Sequence, residues 1–92
     1  MLDVKKGDVL HFREKHNVHG DRIRATFLVL GVDTAQMRIH LYVIYDDYSK
    51  TPLNEQPRDD LRSLNEIQRG YDEWSAESYE MYGSTSYWAK AA

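Results

Sequence analysis

Apolar and polar positions alternate along three stretches in the first half of the chain. Over residues 8–15, DVLHFREK, Leu10, Phe12 and Glu14 share one side while Val9, His11, Arg13 and Lys15 share the other. Over 22–29, RIRATFLV, the sides are Ile23, Ala25, Phe27 and Val29 against Arg22, Arg24, Thr26 and Leu28. Over 37–45, MRIHLYVIY, they are Met37, Ile39, Leu41, Val43 and Tyr45 against Arg38, His40, Tyr42 and Ile44. A period of two is the mark of a half-buried strand. The stretches NVHGD (17–21) and VDTAQ (32–36) supply turn residues between them. Strands are thus expected over about 8–15, 22–32 and 36–45, joined as an antiparallel meander, with Gly31 marking a bulge or bend.

After Tyr45 the period is lost. Residues 46–60 hold both prolines and read as a loop, long for a compact domain, with room for a short edge strand around Thr51 to Asn54. From Leu61 the spacing turns helical: Leu64, Ile67, Tyr71, Trp74, Met81 and Tyr82 recur close to one face. Ser63 and Glu66 have the spacing of a capping box, and Gly83 is a natural stop. One helix over about 61–82 follows, then a tail over 83–92. The expected fold is α+β over a single domain, 1–92: a three- to four-stranded antiparallel meander packed by one C-terminal amphipathic helix.

That arrangement sorts the strand faces chemically. One would be core: Leu10, Phe12, Ile23, Ala25, Phe27, Val29, Met37, Ile39, Leu41 and Val43. The helix would cover it, with Tyr71 and Trp74 extending the packing stripe. The other would gather His11, Arg13, Lys15, Arg22, Arg24, Arg38, His40 and Tyr42, with no acid among them. A half-exposed sheet is ordinarily polar on its solvent side, yet unmixed like charge destabilises a ladder. An anionic partner surface would relieve that repulsion.

Charge along the chain adds to this picture. The net charge of −3 splits unevenly: residues 1–45 carry seven Lys/Arg against five acids, and residues 46–92 carry ten acids against five bases. Cysteine is absent, which removes disulfides, thiol nucleophiles and thiolate metal sites. The longest apolar run, ATFLVLGV, is too short to span a bilayer, and the N-terminus lacks the apolar core of a secretory signal. A cytoplasmic location is the expectation.

Candidate chemistry is sparse. His16 and His19 with Asp21 lack the further ligands of a structural metal site. The pairs Asp46/Asp47 and Asp59/Asp60 have the composition for a divalent ion but equally that of turns and caps. Neither a nucleophile elbow, nor a phosphate-binding glycine loop, nor HExxH occurs. No enzyme, metal or cofactor is expected, and a metal-dependent enzyme is the remotest alternative.

The openings VKKGDVLHF and ATFLVLGVD resemble the first strands of small SH3-like or PUA-like barrels, a resemblance that implies binding of nucleic acid or peptide. In size, charge and aromatic content the chain also resembles small phage-encoded accessory proteins, including anti-CRISPR inhibitors. The reading is a non-enzymatic binding protein that docks on a protein or nucleoprotein complex, with inhibition of a nucleic-acid-binding host complex as one form. Its partner-binding residues would be Arg13, Arg22, Arg24, Arg38, His40 and Tyr42 on the sheet, with Tyr48, Tyr79, Tyr87 and Trp88 as exposed anchors. The alternative is a nucleic-acid-binding module in which Tyr42 stacks bases between Arg and His neighbours. Oligomeric state is left open.

Overall fold

The computed structural model describes residues 3–56 and 58–91. Five strands, β1 (Val9–His16), β2 (Gly20–Asp33), β3 (Arg38–Asp46), β4 (Arg58–Ser63) and β5 (Ser84–Lys90), form one antiparallel sheet in the order β4-β3-β2-β1-β5. A 3-10 turn (Leu53–Glu55) precedes β4, and two short helices, α1 (Leu64–Arg69) and α2 (Ala76–Tyr82), lie between β4 and β5. The protein is a small α+β fold.

The three-strand meander forms where the alternation predicts it, but the sheet has five strands and the single long helix is absent. Residues 58–63, RDDLRS, have little intrinsic strand preference. They nevertheless pair with β3 along its whole inner run, Ile39 opposite Arg62 and Leu41 opposite Asp60. The reason is tertiary: the buried backbone of β3 needs a second ladder partner. Ser63 is the N-cap of α1, yet its side chain makes no capping bond. The Leu64 N–H instead donates to Met37 C=O at 2.8 Å, extending the ladder.

The helix then ends at Gly70. The Trp88 N–H donates to Gly70 C=O (2.7 Å) and the Asp72 N–H to Trp88 C=O (2.6 Å), so residues 70–72 run along the outer edge of β5. Asp72 adopts φ 55°, which breaks any continuation. A new helix starts at Ser75, whose side chain accepts from the Ser78 N–H, and stops at Gly83 with φ 75°. Residues 84–90, expected as a tail, pair with β1 from His16↔Ser84 to Leu10↔Lys90.

The core lies on the sheet face covered by α1 and Val4. Leu10, Ala25, Phe27, Val29, Ile39, Leu41, Val43, Leu64, Ile67 and Trp88 are buried together, with Phe12, Val32 and Tyr71 against them. Three expected core residues are not there: Ile23 is 41 % exposed, Met37 37 % and Trp74 39 %. The loop 46–56 is pinned by buried Gln56, which donates to the Asp46 and Thr51 carbonyls and accepts from the Asp46 N–H. No helix among the described residues is long and apolar enough to cross a membrane.

Candidate docking surface

The sheet face opposite the core is built from residues whose strand partners are also turned outward. Cross-strand pairs His11↔Thr26, Leu28↔Tyr42, Gly31↔His40, His40↔Leu61 and Tyr42↔Asp59 place these side chains together. Neither α1 nor the core cluster lies on this side. Three irregularities in the ladders alter its membership. Between Phe12 and Arg13, one extra β2 residue is inserted, so Arg13 faces Ile23 and Glu14 faces Arg22. A slip of one residue exchanges the faces of everything beyond it. Ile23 is thereby carried out to solvent, and Arg22 is carried to the inner face beside Phe12 and Glu14. A second shift between Thr26 and Phe27 takes Tyr45 to the outer side opposite Thr26, next to exposed Ile44.

The expected unbroken basic face is therefore corrected in two ways. Arg22 and Arg24 leave it for Glu14: Arg22 Nη2 and Arg24 Nη1 each lie 3.1 Å from Glu14 Oε1. Arg24 Nε also lies 2.9 Å from Asp47 Oδ2, an ion pair whose N–H is not aligned for a hydrogen bond. Its guanidinium stacks 4.7 Å over the Tyr48 ring. Acids also enter the outer face. Arg13 Nε donates to Asp21 Oδ1 (3.1 Å), and Tyr87 Oη donates to Asp21 Oδ2 (2.6 Å). His40 Nε2 lies 3.6 Å from Asp59 Oδ2. Arg38 is exposed and makes no ion pair among the described residues. Beside Arg38, His40 and Leu61, with Gly31, Val32, Asp33 and Gln36, is an open hollow of about 350 Å³.

These arrangements set the protonation chemistry. Burial pushes the Asp21 and Glu14 carboxyls up, but bonds from Tyr87 and Arg13 to Asp21, and from Arg22 and Tyr48 with the charge of Arg24 at Glu14, outweigh it. Both carboxyls end below their ordinary values. Burial, then the nearby Arg13 charge, lowers the His11 imidazole. At the opposite edge, burial and the Asp3 carboxylate push the Tyr71 hydroxyl up to about 12.

The expected aromatic anchors divide. Trp88 is buried at 4 % and belongs to the core, its ring 4.9 Å from Phe12 and 5.2 Å from Phe27. The anchor role is withdrawn for it. Tyr87 is half-buried and held by Asp21. Tyr79 is half-buried and packs edge-on against Trp74, whose ring carries the Lys15 ammonium at 4.0 Å. Tyr48 remains 49 % exposed but sits on the inner side, edge-on to Phe12. Of the expected set, Arg13, Arg38, His40, Tyr42 and Tyr87 stand on the outer face of the strands, and Tyr79 lies over its β1–β5 end, its ring 5.7 Å from the Lys15 ammonium. Sequence reasoning missed the exposure of Ile23 and Leu61, 41 % and 56 %. Ile44, 45 % exposed, stands on the Arg38, His40 and Tyr42 side where the alternation puts it, though it is not among the expected contact residues. The exposure of Ile23, next to a register change, carried no signal in the alternation itself.

Convergent reactive groups are not found among the described residues. His16 Nδ1 accepts from the Val18 and His19 N–H groups, so it serves its own loop. Asp59 and Asp60 point to opposite faces of β4, and Asp47 is bound to Tyr45 and Arg24. No group of three or more His, Asp or Glu with metal-binding spacing occurs among the described residues. Comparisons with protein-family models, curated proteins and solved structures return no match to this chain.

Proposed function

We propose that this chain is a non-enzymatic binding protein that docks on a protein partner through the open face of its sheet. The observation that carries this reading is apolar side chains in solvent on or bordering a face that α1 does not cover: Leu61 opposite His40, Ile44 two residues on from Tyr42, and Ile23 opposite Arg13. A protein surface is favoured over a nucleic-acid backbone. Phosphate binding draws on unpaired cations, whereas Arg13 and His40 on this face are already matched by Asp21 and Asp59. Mixed charge around apolar and aromatic side chains is the usual make-up of a protein interface. A nucleoprotein complex approached through its protein component fits the same face, and inhibition of such a complex is one form the docking takes.

The test is capture of binding partners from the native host by wild type and by two variants, Arg38→Glu with Tyr42→Ala and Glu77→Gln with Glu80→Gln. Loss of the same band with the first variant alone, with both folds intact by circular dichroism, supports the open face. Retention by the first variant removes that face as the site. Titration of labelled RNA and DNA at two salt concentrations is the second measurement, and tight binding that weakens steeply with salt would replace the protein-docking reading with the nucleic-acid one.

A further inference from the structure

β4 is the exposed end of the sheet. The far edge of β5 is occupied by Gly70–Asp72, but no strand among the described residues pairs with the far edge of β4. Its backbone direction can be read from one bond. Leu64 N–H donates to Met37 C=O, so in the alternating ladder Arg58, Asp60 and Arg62 direct their backbone groups to β3. Asp59, Leu61 and Ser63 therefore turn their N–H and C=O groups outward. The side chains alternate as well: Asp60 and Arg62 stand on the inner side opposite Leu41 and Ile39, and Leu61 stands on the outer side opposite His40.

We propose that β4 pairs antiparallel with β4 of a second copy of this chain, joining two sheets across a two-fold axis at Leu61. Two conditions fix that register. Residues brought opposite each other must share a face, and a two-fold axis normal to the sheet preserves faces. Centring on Asp60 opposes Asp60 to itself and Arg58 to Arg62. Centring on Arg62 opposes that arginine to itself. Like charges directly opposite destabilise a ladder. Centring on Leu61 sets Asp60 of each copy against Arg62 of the other, Leu61 against Leu61, and Asp59 against Ser63. In that register the outward backbone groups of Asp59, Leu61 and Ser63 all find partners. Charge on an edge strand normally discourages pairing; here Asp60 and Arg62 are joined within each chain, Arg62 Nε lying 2.8 Å from Asp60 Oδ2, and their order around Leu61 opposes unlike charges across the axis. Leu61, 56 % exposed, would be covered by its own copy.

The experiment is the solution mass of the intact chain by sedimentation equilibrium over rising concentration. Wild type should approach twice the chain mass of 10.8 kDa. Asp60→Arg and Arg62→Asp should each shift to the monomer mass, and an equimolar mixture should restore the dimer, because the altered charges then oppose each other correctly. Arg62 also lies over the Phe27 and Trp88 rings, so Arg62→Asp is checked by circular dichroism. A second measurement does not depend on it. The chain lacks cysteine, and residues facing each other in a bonded antiparallel pair have Cα atoms about 5.5 Å apart, within disulfide reach. Leu61→Cys should cross-link to a covalent dimer under mild oxidation, and Ser63→Cys, far from its own copy, should not. Wild type that stays monomeric at the highest attainable concentration overturns the proposal, as does equal cross-linking of the two cysteine variants. Failure here leaves the open-face reading standing, since that rests on host-partner capture.

Discussion

Arg24 illustrates how one inserted residue redirects a side chain. By simple alternation it belongs with Thr26 and Leu28, but the irregularity beside Phe12 gives it Glu14, Asp47 and the Tyr48 ring as neighbours. Glu14 and Arg24 side chains are only 14 % and 16 % exposed, so their pair is screened less than the Arg13–Asp21 pair at 30 % and 41 %. Glu14→Ala should therefore lower unfolding stability in urea by about 2–3 kcal/mol, because Arg24 keeps Asp47 alone as carboxylate partner and Arg22 loses Glu14. Arg13→Ala should cost less than about 1 kcal/mol, as partly exposed pairs do. His11 gives a pH signature. Its folded-state value is depressed by burial and by Arg13, so the unfolded chain takes up the proton first. Stability from this group is full above its ordinary value of about 6.5 and is lost as pH falls below it towards the depressed value. The melting temperature of wild type should fall over that window more than that of His11→Gln. Glu14 and Asp21, also depressed, hold their contributions above ordinary carboxylate values and lose them only as pH falls through their lowered ones. A second, steeper loss is expected there.

The helical segments show what periodicity leaves open. Leu64 and Ile67 are buried as the stripe predicts, yet α2 buries none of its side chains. A seven-residue helix has little stability of its own. It is held by the Ser75 cap, by Trp74 against Tyr79, and by the left-handed turn at Gly83. Ser75→Ala should speed amide hydrogen exchange in 76–82 while β2 and β3 keep their protection, a local loss of about 1 kcal/mol. Gly83→Ala meets a positive φ and places its Cβ 2.9 Å from Asn17 Nδ2. It should lower global stability by about 1 kcal/mol or more, because Gly83 C=O also accepts from Asn17 N–H and ties β5 to β1. The Gly83 stop was legible because only glycine enters that conformation without cost. The break at Gly70 was not, because an interior glycine weakens a helix without ending it. What ends it is the backbone of Trp88, eighteen residues further along the chain.

Across the whole molecule, Trp88 and β5 connect the two ends. The Trp88 ring fills the core against Phe12 and Phe27, and its backbone fastens residues 70–72. Trp88→Ala should cost about 3–5 kcal/mol in denaturant unfolding. Removing residues 84–92 should abolish cooperative unfolding altogether, an outcome opposite to that of trimming a tail. The sequence by itself determined the class of fold, the β1–β2–β3 meander, most of its buried face and the stop at Gly83. Each of these follows from the side chain itself, through a period of two, a run of branched apolar residues, or the freedom of glycine. The tertiary structure alone decided that RDDLRS is a strand, that STSYWAK pairs with β1, and which arginines face solvent. Those outcomes depend on unpaired backbone at the edges of β3 and β1 and on register shifts between strands. Both are properties of neighbours that are distant in the chain, and local pattern does not record them.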